Sequence, residues 1–165
     1  MDAARSARAA DRERIDELRA LFFTELRAYR GGDLWVRERM SAARPDESGA
    51  FVGTLDDVVV GYGIVEVLEL RDGGRVGKVT ELFVEPEARE VGVGEALVGV
   101  LVDWCRDHRC DGIDATALPG HRAAKNFFEE QGFVARSLTM YRGLEPAPEG
   151  DPGEAMEPSE AGGGA

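Results

Sequence analysis

The chain has 165 residues, 43% of them hydrophobic and 32% charged, with a formal charge of −12 at pH 7; this is the profile of one soluble domain, too short for two ordinary ones. That charge argues against nonspecific nucleic-acid binding, because neutralising phosphates needs basic clusters and none stands out. The longest weakly polar run, VVVGYGIVEVLEL, is interrupted by Glu66 and two glycines, so it falls short of the roughly 18 apolar residues that a membrane span needs.

Six acidic residues and no Lys or Arg follow Arg142, so half of the net charge sits at the C-terminal end. The mildly acidic remainder is compatible with a cationic substrate, and equally with solubility alone. Arg5 and Arg8 are not followed by an apolar stretch, so no secretory signal is expected and the location expected is cytoplasmic. Cys105 and Cys110 lie five apart in an expected helix, which puts their Cα atoms roughly 8 Å apart and beyond disulfide reach. CRDHRC offers Cys105, His108 and Cys110 but no second ligand pair, so no metal is expected there.

From Asp11 to Tyr29, the residues Ile15, Leu18, Phe22, Leu26 and Tyr29 recur at steps of three and four, the spacing of one helical face. The opposite face mixes Glu13, Glu17 and Glu25 with Arg12, Arg19 and Arg27 instead of being basic, which disfavours a membrane-surface role. Gly31 and Gly32 stop this helix, a short second one covers Leu34 to Ala42, and ARPDESG reads as a loop. AFVGTL, VVVGYGIVEVLEL and RVGKVTELFVEP follow, separated by DD and RDGG, the pattern of an antiparallel meander.

A helix from Gly94 to His108, a strand from Gly112 to Ala117, a helix from His121 to Gln131 and closing strands at Phe133 to Ser137 and Thr139 to Leu144 are expected next. The helical crossover between KVTELFVEP and GIDATAL makes those two strands parallel. Residues 146–165 lack the apolar content to pack and are expected to form a disordered acidic tail after a domain of residues 1–145.

Where the third meander strand gives way to a helix, REVGVG places Gly92 and Gly94 beside amides that have no intrahelical acceptor. Such a bend suits an anion, aided by the helix dipole and by Arg89; the rival reading is a plain connection whose glycines only permit tight packing. A dinucleotide fold is disfavoured, since Leu97 stands where GxGxxG needs its third glycine and the preceding strands read as antiparallel.

With REVGVG, ELFVEPEAR before it and AAKNFFEEQGF after it in that order, the sequence resembles the GCN5-related N-acetyltransferase (GNAT) family, best over residues 78–144. The resemblance implies an α/β (α+β) fold: a mixed, mostly antiparallel sheet, helices on both faces, and a central parallel pair splayed to hold acetyl-coenzyme A. It implies that Arg89, Glu90, Val91, Gly92, Val93, Gly94 and Glu95 bind the cofactor's pyrophosphate, with His121 and Lys125 as further contacts and Phe83 and Val84 lining the pantetheine channel. By the same resemblance the Val84 amide receives the thioester oxygen. The family's usual first-strand signature has no counterpart in ARSARAAD, so a weak or missing edge strand is expected.

Acetylating an amine means removing a proton from an ammonium group of pKa about 10.4. The resemblance makes Glu81, on the same strand face as Val79 and Phe83, the general base, with burial beside apolar neighbours raising its pKa; an exposed strand carboxylate is the rival. Phe128 stands where the family carries a proton-donating tyrosine and would only line the site, leaving Tyr141 or solvent to protonate the departing thiolate. Trp35 and Tyr29 are candidates to line the pocket of an amine acceptor that the sequence does not identify, with core packing as the simpler alternative. An acetyl-coenzyme A sensor without turnover is the rival function, and the resemblance makes exposed C-terminal strands a route to a homodimer.

Overall fold

The computed structural model describes residues 3–43 and 47–144, and the expected tail lies outside them. The chain divides into two units, Met1–Val134 and Ala135–Ala165. The elements of the first unit are β1 Ala3–Ser6, α1 Arg12–Leu26, α2 Gly32–Ser41, β2 Ala50–Leu55, β3 Val58–Glu69, β4 Arg75–Val84, α3 Val93–Asp107, β5 Gly112–Ala115 and α4 Arg122–Glu130. No helix among the described residues is long and apolar enough to cross a membrane.

The five strands lie in sequence order. Every neighbouring pair is antiparallel except β4 and β5, which run parallel. The meander is as expected, and its first turn uses Asp56 at φ 47° and Asp57 at φ 64°, left-handed conformations that match the twist of a tight hairpin and that Asp tolerates.

Apolar residues of β2, β3 and β4 form two cores, one on each side of the sheet. On one side α3 buries Val93, Leu97, Leu101 and Cys105. Gly53, Gly61, Gly63 and Gly77 lie beneath that helix, and a Cβ at any of them would meet its side chains at or inside close contact; these glycines let the helix seat deeply. On the other side, α1 and α2 bring Leu18, Phe22, Phe23, Leu26 and Val36 onto Tyr62, Ile64 and Phe83.

Three expectations are corrected. The edge strand, expected to be weak or missing, is not missing but is short: Ala3 to Ser6 pair antiparallel with Thr54 to Phe51. Strand pairing is a backbone matter, so small alanines serve, and Arg5 fixes the exit of β1 by a bidentate pair with Asp11 at 2.7 and 3.0 Å. The closing strands at Phe133–Ser137 and Thr139–Leu144 are absent among the described residues. An alternating pattern supplies faces but no ladder partner, and Val134, Leu138, Met140, Tyr141 and Leu144 stay exposed. The parallel pair therefore stands at one end of the strand order, not at its centre.

The third correction concerns the cysteines. The helix α3 ends at Asp107, and Arg109 at φ 56° turns the chain back, so that the Cys110 amide donates to the Cys105 carbonyl at 2.9 Å. The continuous-helix spacing does not apply. Both thiols are free, and burial, then Cys110, pushes the Cys105 thiol up to about 12.

Candidate active site

One extra residue in β4 creates the site. Ile64 pairs with Glu81 and Val65 with Val79, so Thr80 has no partner of its own and forms a β-bulge. Its hydroxyl donates to the Ile64 carbonyl at 3.4 Å. The bulge reverses the alternation of side chains: Val79 packs with α3, whereas Glu81 and Phe83 face α1 and α2. The expectation of one shared face for Val79, Glu81 and Phe83 is thereby corrected. β5 accompanies β4 only from Val76 to Val79, and the two parallel strands part where the bulge begins. Between them opens a cleft of about 50 Å³, lined among others by Trp35, Thr80, Glu81, His121 and Phe128.

The open edge of β4 presents backbone groups to this gap. The Glu85 amide donates to the Val60 carbonyl at 2.8 Å, which makes the adjacent Gly61–Val84 pair the kind that exchanges no bonds. The amides of Val84 and, two residues earlier, Leu82 therefore point away from β3, beyond the reach of β5. Past the strand, Glu90 at φ 66° and Gly92 at φ 91° bend the chain into α3. From Glu90 to Glu95 no backbone amide has a hydrogen-bond acceptor among the described residues. Six such donors in series, ending on the positive pole of a 15-residue helix, make an anion cradle. A Cβ at Gly92 would meet nothing within 4 Å, whereas Gly94 packs against Phe127 of α4.

Arg89 stands beside this cradle but is already engaged. Its Nε donates to the Val84 carbonyl at 2.8 Å, and its two terminal nitrogens bind the Glu25 carboxylate at 3.1 and 2.9 Å. It thus ties the loop to α1. Glu90 and Val91 are exposed on the bend and Val93 is buried beneath it. Lys125 is taken up by Glu129 at 2.6 Å, one helical turn on.

Glu81 is buried, as expected, but its neighbours are charged and polar where apolar ones were anticipated. Oε1 accepts from Arg19 Nε at 3.0 Å, Arg19 Nη2 at 2.6 Å and Arg39 Nε at 3.3 Å. Oε2 accepts from Arg19 Nε at 3.0 Å and the Tyr62 hydroxyl at 2.9 Å. Five donor contacts fall on a carboxylate with about four lone-pair sites. Burial, reinforced by Glu81, pushes the Tyr62 phenol well above its usual value, so it stays protonated as a donor.

The sequence reading missed these three partners. Arg19 was assigned to the solvated face, although it lies four residues after Ile15 and three before Phe22 on the flank of the apolar stripe. That position was the available signal. Arg39 on α2 and Tyr62 within an apolar run gave none.

His121 precedes α4 and stacks on Tyr29, ring centroids 4.2 Å apart and planes 16° from parallel. Burial lowers its pKa, an effect opposed by Glu25 and aided by Arg89. Phe128 lines the cleft and packs edge-on against Phe127 and Phe133. Phe83 is buried against Phe22 at 5.5 Å and does not reach the cleft lining. Tyr141 belongs to the second unit and is 73% exposed. Among the described residues no group of three or more His, Cys, Asp or Glu is placed to hold a metal.

A family model described as "Acetyltransferase (GNAT) family" matches residues 12–133. An uncharacterised N-acetyltransferase of Methanocaldococcus jannaschii is 24% identical over 144 residues, which cover 79% of this chain and 61% of that protein. The chain thus spans about three-fifths of the length of the curated relative it matches. Among solved structures, a ribosomal-protein-alanine N-acetyltransferase from Brucella melitensis biovar Abortus 2308 superposes with a TM-score of 0.63 at 20% identity, over 88% of this chain and 100% of that one. An aminoglycoside N-acetyltransferase solved with coenzyme A gives 0.65 at 18% identity, over 87% and 95%.

Proposed function

Because the chain belongs to the GNAT acetyltransferase family, we propose that it transfers an acetyl group from acetyl-coenzyme A to a primary amine by direct attack. The observation that carries this reading is the unbroken run of unpartnered amides from Glu90 to Glu95 next to the gap between β4 and β5. The diphosphate takes those amides, with Gly92 supplying the left-handed bend. The pantetheine arm runs along the free edge of β4, and the Val84 amide meets the thioester oxygen as it gains charge; one such donor is worth roughly 3 kcal/mol in the transition state. His121, Lys125 and Phe128 flank the arm from α4. Phe128 has no proton to give, so the thiolate takes its proton from another group.

The acceptor enters from the side of Trp35 and Phe22. The two solved relatives above are named for an aminoglycoside and for a ribosomal-protein alanine, so the amine class stays open between small molecule and protein. Calorimetry with acetyl-coenzyme A followed by thiol-release assays against an amine panel tests the proposal. Release that depends on both amine and acetyl-coenzyme A is expected; binding of the cofactor with no amine-dependent release refutes turnover.

A further inference from the structure

Two ionisable side chains line the cleft, Glu81 and His121. Glu81 already receives five donor contacts from Arg19, Arg39 and Tyr62, so no lone pair is left to take a proton from an incoming amine. The His121 backbone is bonded to Leu118 and Lys125, but its ring has no hydrogen-bond partner among the described residues and stacks on Tyr29. We infer that His121, not Glu81, receives the proton of the attacking amine and returns it to the leaving thiolate. This rests on the acetyl-transfer reading above.

The atoms balance for a neutral amine. Its nitrogen pair forms the C–N bond as the carbonyl pair moves onto oxygen, and the imidazole takes one N–H proton. The oxygen pair then returns, the C–S bond breaks, sulfur leaves with the bonding electrons, and the imidazolium protonates it. One group thus serves as base and then acid, which also supplies the proton that Phe128 lacks.

The surroundings favour a neutral ring at rest. Burial lowers the His121 pKa; Glu25 from α1 opposes this, and Arg89 from the cofactor loop reinforces it. Because Glu25 and Arg89 form a bidentate pair, their charges largely cancel at the ring. Across the cleft, Glu81 is compensated by Arg19 and Arg39, Tyr29 is in stacking contact, and Lys125 one turn along α4 is paired with Glu129.

The test uses the full chain, acetyl-coenzyme A and the best acceptor from the amine panel. His121→Gln is expected to lower kcat about 100-fold, the low end of general acid–base catalysis, and to remove the acidic limb of the kcat/KM profile. His121→Ala should regain turnover with added imidazole. His108 is the other of the two histidines; it is bonded through Nδ1 to the Trp104 carbonyl at 2.7 Å and does not line the cleft, so His108→Gln should keep the acidic limb. A His121→Gln enzyme that keeps kcat within about threefold, or keeps the limb, overturns the assignment while acetyl transfer stands. No thiol release by the unaltered chain with any amine would overturn acetyl transfer, and this assignment with it. Should His121→Gln fold poorly, the imidazole response of His121→Ala decides: no rescue overturns the role.

Discussion

Glu81→Gln separates an anchored carboxylate from a free base. The substitution is nearly isosteric and keeps one acceptor oxygen, but it removes the charge that Arg19 and Arg39 share. Breaking a buried ion pair by removing one partner costs about 3 to 5 kcal/mol. Arg19 and Arg39 keep 22% and 13% of their side-chain exposure, and Gln can still accept from Tyr62, so the lower end, about 3 kcal/mol, applies. For a domain of this size that corresponds to a fall in Tm of about 6 to 12 °C. Urea unfolding followed by circular dichroism, with the m-value checked for constancy, reads the loss directly. Where the variant remains folded, kcat should fall less than about tenfold, because the proton goes elsewhere. A variant within about 0.5 kcal/mol of the unaltered chain but slower by about 100-fold would make Glu81 the base and refute the anchoring role.

Gly77→Ala should destabilise by about 1 to 3 kcal/mol in the same unfolding assay, because the Cys105 sulfur occupies the space its methyl group would take. Gly92→Ala forces a side chain to φ 91° and should cost about 1 to 2 kcal/mol, with weaker acetyl-coenzyme A binding by calorimetry; unchanged affinity would count against the amide cradle. Asp11 has its folded pKa lowered from 3.8, chiefly by the hydrogen bond from Arg5. Its stabilisation is therefore present above 3.8 and lost as pH falls through the lower folded value, and urea midpoints of Asp11→Asn should be less sensitive to acid in that window. Alkylation mapped by mass spectrometry should mark Cys110 before Cys105, whose thiol is buried and held near pKa 12.

Much of the fold was legible because it rests on local signals. The meander was written in β-branched runs separated by turn residues, the helices in their three-and-four spacing, and the parallel pair in the crossover between β4 and β5. The bend at Gly92 was legible for the same reason, since a left-handed position at a helix start asks for glycine. What the sequence hid depended on distant partners. Thr80 looks like any strand residue, and only its register against Ile64 and Val65 makes it a bulge. Glu81 read as a lone carboxylate because Arg19 and Arg39 lie 62 and 42 residues away along the chain. The apolar alternation after Phe133 was a sound local signal for a strand, yet no neighbouring strand takes it up among the described residues. ARSARAAD erred in the opposite direction, since alanines carry little side-chain signal for a pairing made by the backbone.

Thr80 sets the phase of everything after it. A β-strand has only two states of phase, so pairing Thr80 in the ladder instead of leaving it as the extra residue would turn Glu81 and Phe83 under α3 and swing Leu82 and Val84 toward α1. A carboxylate would then press on Leu97 and Leu101 with no cation near, and the backbone donors of the open edge would swap places with those facing β3. Lengthening or shortening the hairpin turns at Asp56 or Gly73 by a residue disturbs only a surface loop. Drawing Thr80 into the ladder would instead scramble two cores and the cleft together, so the phase of the second half of β4 hangs on this one residue staying out of register.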